Sequence, residues 1–515
     1  MASRGAFFAG VQRIFSLISV EPALALYIFT SFIKYPVFQA LLYEKSCVAR
    51  YHDAVLCGNT SAVHSDIALQ KDANQLFLYS SLCLLLPSIP TALLLGSLSD
   101  VWSAKIPILI PLLGLIIGDV NYVVQSSFFN FDARWLLLSD IISGFTGGYA
   151  ALMGMMFSCS MKQTDPAHRS RRMALLEGSI GIGATLGFSL AGLIRESLGF
   201  SKTFILLMGL RVICFIYIVA IVNEIKPDKQ QQSLNQCYFF ISFNYNCFNN
   251  TAISNGWGYK SPSGRSIRGN DSFTTFTLSA ASCSALLSRM VGATSRRLVE
   301  VYEVMTRSRP SRSVLLLVLV AFAVELLAFA GVNDIQYSFF RFKLKWTDKE
   351  YGWYKGLSYA FSTVTVLSIY PWMKSRGVRD MMLCAVALTT KIVSLLATAF
   401  VFADWFAYAT TPLSALNRFI ATSLRATASQ TVDVVEQGKV FSVMSLTDGV
   451  TSVCGSVIFN SLYPRTLPSL SFLCFVIVAA MLLIPLFISL YLLTERAHTN
   501  AAAASNSEIL NENEQ

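Results

Sequence analysis

Apolar residues come in blocks of about twenty along this chain, the length at which a helix crosses a bilayer. The polar stretches between the blocks hold most of the charge. Twelve blocks predict spans centred on residues 21–42, 73–95, 106–128, 135–159, 173–194 and 203–222, then 314–339, 353–372, 381–402, 405–424, 440–462 and 470–493. In lipid every backbone N–H and C=O needs an internal partner, which only helices and closed barrels provide. These blocks are too long and too evenly apolar for barrel strands, so helices are expected. The first block runs on into a full span, so no cleavable leader is expected.

Six spans, a polar stretch of roughly ninety residues, then six more is the layout of a two-bundle transporter. The expected fold is all-α and integral to the membrane. An N-terminal six-helix bundle covers 1–224, a cytoplasmic central loop 225–312, a second six-helix bundle 313–494 and a cytoplasmic tail 495–515. Within the loop, residues 237–251 (CYFFISFNYNCFNNT) are too short and polar to span. They read either as a disordered insertion or as sequence retained by a faulty gene model. The tail and the Ser- and Arg-rich parts of the loop have the composition of solvated, disordered chain.

Composition and charge sharpen this picture. Of 515 residues 54% are hydrophobic and 14% charged, with mean hydropathy +0.53, against about 25% charged in a soluble domain. The net charge of +10 needs no nucleic acid, because Lys and Arg gather on one side of the predicted spans. The short loops 162–172 and 374–379 are the best witnesses under the positive-inside rule, and they put both termini in the cytoplasm. The stretch Arg341–Lys349 runs against the trend, diluted by Asp348 and Glu350. Either the plasma membrane or an endolysosomal membrane fits.

The eleven cysteines show no metal-site spacing, and most lie inside apolar spans as small packing residues. Cys47 and Cys57 both fall in the first extracytoplasmic loop, where a disulfide is permitted, with each other or with another partner. Asn59-Thr-Ser61 in the same loop is a glycosylation sequon. The four histidines, at 52, 64, 168 and 498, lie in loops or the tail with no nucleophile–base spacing, so no enzyme is expected. No cofactor or metal is expected either, only protons as a coupling ion. The expected partners are a small-molecule substrate and the lipid bilayer, with the chain a monomer or weak oligomer.

Candidate chemistry sits at a few polar points. Gly96, Asp100 and Lys105 follow the second span in a G-x-x-x-D-x-x-x-x-K pattern, which resembles the cytoplasmic 2–3 loop signature of the major facilitator superfamily. Gly96 lets helices approach, and Asp100 can pair with a cation across a bundle interface that breaks as the halves rock. Ser103 and Ala104 stand where that signature usually has Gly and Arg. Ionisable residues inside the hydrocarbon normally face a cavity or a partner, and Lys34, Glu177, Arg211, Glu325, Lys391, Arg418 and Arg425 are the deep ones, with Asp119, Asp140, Asp334 and Asp448 in or near spans. Glu177 and Arg425 stand out because they belong to opposite halves, where a central cavity would form. A carboxylate there can exchange a proton, and an arginine can fix an anion by paired hydrogen bonds. Gly183 and Gly187 form a G-x-x-x-G face suited to close helix packing.

With these residues in view, the chain resembles the solute-carrier family of the proton-coupled folate transporter and its thymic and lysosomal relatives. Three places carry the likeness: Glu21-Pro22 through Leu41-Leu-Tyr43 and Cys47; Arg172-Met-Ala-Leu-Leu-Glu177; and Arg425-Ala with Glu436-Gln-Gly438, Phe441-Ser442 and Phe459-Asn-Ser-Leu-Tyr-Pro464. The resemblance implies a major facilitator fold with twelve transmembrane helices. It also implies secondary active, proton-coupled transport of a polar organic solute or organic anion, folate-like or conjugate- or muropeptide-like. Glu177 matches a carboxylate associated with coupling, and Arg425 an arginine important for transport. Aligning Gly331-Val-Asn-Asp334 with the folate carrier puts Phe329 where that carrier has a histidine, Gly148 where it has an aspartate and Trp353 where it has a tyrosine. Lys345 occupies the place of a loop cysteine, so the family's bridge between the first and fourth extracytoplasmic loops is unavailable. A non-transporting receptor or scaffold on the same fold is the alternative, kept open by the degraded 2–3 loop signature and the long central loop.

Overall fold

The computed structural model describes residues 20–53, 57, 66–101, 105–129, 131–162, 169–222, 311–432, 437–467 and 469–494, with five single positions between 292 and 306. The central loop expected over 225–312 and the tail over 495–515 therefore lie almost wholly outside the described residues. Within the described residues every regular element is a helix.

Helix α1 (Glu21–Tyr51) opens on Pro22, whose missing N–H is no loss in a first turn, and ends at His52 in the left-handed conformation. Helices α2 (Ile67–Val101) and α3 (Ile106–Ser127) follow. The fourth span is assembled from a 3-10 turn (Ala133–Leu136), α4 (Leu137–Phe145) and α5 (Gly148–Lys162), broken where Gly147 and Gly148 take positive φ. Helix α6 (Arg169–Ile221) holds two spans turned at Gly199, whose φ of 74° and ψ of 175° suit only glycine.

The second half begins with α7 (Arg312–Leu344). Its next span joins α8 (Asp348–Val364), a π-helical turn (Thr365–Ile369) and α9 (Tyr370–Ser375). After α10 (Asp380–Ala399), the tenth span joins α11 (Asp404–Thr410), a 3-10 stretch (Thr411–Leu416) and α12 (Asn417–Gln430). Helix α13 (Gln437–Thr466) and the last span, Leu473–Thr494, which opens with α14 (Leu473–Met481), complete the set.

Seven of the described helices are long and apolar enough to cross a membrane unaided, and one of them, Leu175–Ile221, contains two crossings because of Gly199. The other four crossings are the three broken spans and α13. Irregular backbone at membrane depth is tolerated where it is buried in protein or lines a cavity. The chain is thus all-α with two sets of six crossings, as the apolar blocks predict.

The buried hydrophobic clusters keep to one half each. One cluster runs from Leu315 to Leu492, and the others lie wholly within residues 20–222. Only part-buried Ile67 and Tyr359 pack across the seam into the other half's cluster. Each half therefore has its own core, the condition for moving as a body. Helix α6 sits at the seam and touches both sides. A Cβ at Gly183 would lie 2.7 Å from the Ala25 carbonyl oxygen, and one at Gly187 2.8 Å from that of Phe29, so the predicted small-residue face seats α6 on α1. On α8, Gly352 and Gly356 do the same against Phe188 and Ser189. Gly187→Leu should cost about 1–3 kcal/mol by overpacking, read as a lower unfolding temperature of the detergent-solubilised protein. Gly209→Leu, where a Cβ meets nothing within 4 Å, should leave that temperature unchanged.

Several deep charges turn out to be paired within one half. Arg211 Nη1 lies 2.5 Å from Asp119 Oδ1, with both side chains at most 1% exposed. Arg172 Nε lies 2.5 Å from Glu21 Oε1 and Lys391 Nζ 2.8 Å from Glu325 Oε1. Asp140 accepts hydrogen bonds from Ser80 and Tyr122, and the Lys34 ammonium stands 4.2 Å from the Tyr122 ring centroid. These groups hold helices together within a bundle.

Candidate functional site

Several polar contacts join the two halves at the distal end, where α1 finishes, opposite the proximal end where it starts. There Arg195 Nε contacts Asp348 Oδ2 at 2.6 Å, and the aspartate side chain is 2% exposed. Beside it Lys349 and Glu196 form a more open pair. The Arg341 guanidinium lies 3.6 Å from the Tyr43 ring centroid, and the Ser338 hydroxyl donates to Asn74. Deeper still, the Tyr35 hydroxyl donates to the backbone carbonyl of Asn333 at 2.9 Å. Phe32, Phe188 and Tyr359 then stack edge-on or tilted, with centroids 4.9–5.4 Å apart.

Glu177 lies on α6 two turns from its proximal start. Its carboxylate meets Arg418 Nη1 of α12 at 3.4 Å, an ion pair that crosses between the halves. Arg418 also faces the Tyr359 ring at 5.9 Å. The sequence marks Arg425 as the opposing cation, but it lies two turns further along α12. It is exposed there, 5.4 Å from the Phe322 ring centroid and in electrostatic contact with Asp448 of α13. Glu177 and Arg425 thus form no ion pair with each other among the described residues, and the cation that Glu177 meets is Arg418.

Phe329 is 47% exposed, and the Lys391 ammonium stands 5.7 Å from its ring centroid. The position aligned with the folate carrier's histidine is therefore next to the Lys391–Glu325 pair. Asp334 faces α13 instead, accepting from Ser456 Oγ at 2.5 Å and Asn460 Nδ2 at 2.8 Å. Trp353 stands apart from the centre. It lines a groove between α6 and α8 with Thr185, Ser189, Gly356 and Tyr408, and its ring faces the Lys349 ammonium at 5.6 Å. Gly148 sits at the break of the fourth span, where its positive φ suits glycine.

Of the 2–3 loop triplet, Gly96 is buried, and Lys105 donates from Nζ to the Val219 carbonyl oxygen at the end of α6. The Asp100 side chain lies outside the described residues, as does Asn59. Cys47 and Cys57 are bonded to each other, ten positions apart. Sequence reasoning passed over Lys355. It falls just inside the eighth span, where a lysine is easily read as reaching out to the membrane surface.

Residues 65–340 match the Major Facilitator Superfamily. The chain is 21% identical over 491 residues to the lysosomal proton-coupled steroid conjugate and bile acid symporter of Gallus gallus, covering 92% of this chain and 93% of that one. It is 22% identical over 431 residues to the proton-coupled folate transporter of Rattus norvegicus, covering 83% and 81%. Among solved structures, the human organic anion transporter MFSD10 superposes with a TM-score of 0.59 at 16% identity, covering 93% of this chain and 99% of its own. These relatives move solutes across membranes and are not enzymes.

Proposed function

This chain belongs to the Major Facilitator Superfamily, and we propose that it is a proton-coupled symporter of an amphipathic organic anion bound between its halves. The solute class is folate-like or conjugate-like, as the names of its relatives suggest. The observation that carries this reading is the Glu177–Arg418 pair, a carboxylate and a guanidinium on opposite bundles, both on spanning helices. Protonating Glu177 removes one charge of the pair and frees Arg418 for an anionic solute. Arg425, further along the same helix, offers a second cation on the route to the proximal end. One proton and one anion then load the same place, which is what symport needs.

The charge asymmetry of the loops supports cytoplasmic termini, and the Cys47–Cys57 bond supports an extracellular or lumenal face for the first loop. The proximal end is then cytoplasmic and the sealed distal end lumenal or extracellular. The test is uptake of labelled cholate and folate into vesicles across pH, for the wild type and Glu177→Gln. Wild-type uptake should rise as the donor side is acidified, and Glu177→Gln should flatten that profile and lower uptake at least about tenfold. A mutant profile parallel to the wild type would remove Glu177 from coupling.

A further inference from the structure

Lys355 is 9% exposed within α8, and its ammonium has no carboxylate within ion-pair distance among the described residues. Its one hydrogen bond goes to Asn333 Oδ1 at 3.1 Å. The Lys391 ammonium, itself paired with Glu325, also acts on it electrostatically. One turn back on the same face, the Tyr351 hydroxyl is wholly buried with no hydrogen-bond partner among the described residues, and its ring lies 5.8 Å from the Lys355 ammonium. An ammonium and a phenol side by side present donors in excess of acceptors. A charge at membrane depth is expensive to keep unless something pairs with it.

We infer that Lys355 and Tyr351 form an anion-binding subsite at the seam between the halves, taking the carboxylate or sulfate of an organic anion. Tyr359, one turn further along the same face, carries the aromatic stack with Phe32 and Phe188 and supplies an apolar wall for the body of such a molecule. Tyr35 reaches the same place from the other half through its bond to Asn333. A solute anchored here touches both bundles. The subsite rests on the transporter reading for its biological use but not for its chemistry.

The test is ligand-induced thermal stabilisation of the purified full-length protein, with cholate and estrone sulfate as anionic probes and uncharged estrone as control. Lys355→Met should weaken binding of the anionic probes at least about tenfold, while Lys355→Arg stays within about threefold of wild type. Binding of estrone should be the same in all three proteins. Without ligand, Lys355→Met should unfold at the same or a higher temperature, because an unpaired buried charge has been removed. Equal binding of the anions by wild type and Lys355→Met would overturn the subsite, as would a wild type that binds neither anion at millimolar concentration. A ligand-free Lys355→Met that melts well below a normal Lys355→Arg would also overturn it, by making the lysine a structural cation. Binding that depends on Lys355 in a protein showing no uptake in proteoliposomes would instead sink the transport reading and leave the subsite standing.

Discussion

Arg211→Met should destabilise the folded protein by about 3–5 kcal/mol, because it removes the cation in direct contact with a buried carboxylate. Asp119 is fully buried and its Oδ1 is held by Arg211 at 2.5 Å. Unfolding of the solubilised protein followed by a thiol-reactive dye would report the loss through buried Cys214, which lies one turn from Arg211. The double variant Arg211→Met with Asp119→Leu should recover most of the stability, since removing both charges removes the stranded one as well. If the single variant melts like the wild type, the pair is not holding the third and sixth spans together.

The second large effect concerns the distal seal. Arg195→Gln should open that end, because Asp348 is buried and loses its cation, whereas Lys349→Gln should matter little because its pair is open to water. A loss of about 1.4 kcal/mol from the closed state moves the population about tenfold. With a reporter cysteine at Ser338, an impermeant thiol reagent added from the distal side should react about tenfold faster in Arg195→Gln. In Lys349→Gln the rate should stay within about threefold of the parent. Equal rates in the two variants would show that the seal rests on packing, not on the buried pair.

Most of the fold was legible because bilayer thickness sets the length of an apolar block. The paired nature of Arg211, Glu325 and Lys391 was not, since a sequence shows that a charge is deep but not what it faces. Arg418 and Arg425 illustrate the limit. Seven residues apart on one helix, they share a face two turns apart, and either would meet a carboxylate on the opposite bundle equally well. The choice depends on the depth at which α6 and α12 cross, a tertiary quantity that no local pattern carries. Lys355 was missed for a related reason: near a span end, a lysine that reaches water and one that turns inward have the same sequence neighbourhood. The broken spans were easier to place than to explain, because Gly147-Gly148 and Thr411-Pro412 mark breaks whose purpose only the assembled cavity reveals.

The Cys47–Cys57 bond has a consequence for motion. Both sulfurs belong to the first half and lie ten positions apart, so the covalent link never spans the seam that opens and closes. Among the described residues, the contacts that join the bundles at the distal face, those of Arg195, Lys349, Arg341 and Ser338 with their partners, are all reversible. Reductant in the surrounding fluid can loosen a loop of this protein, yet it has no grip on the gate. Reduction of this bond should therefore leave the distal gate untouched, and ionic strength is the condition to which that end should answer.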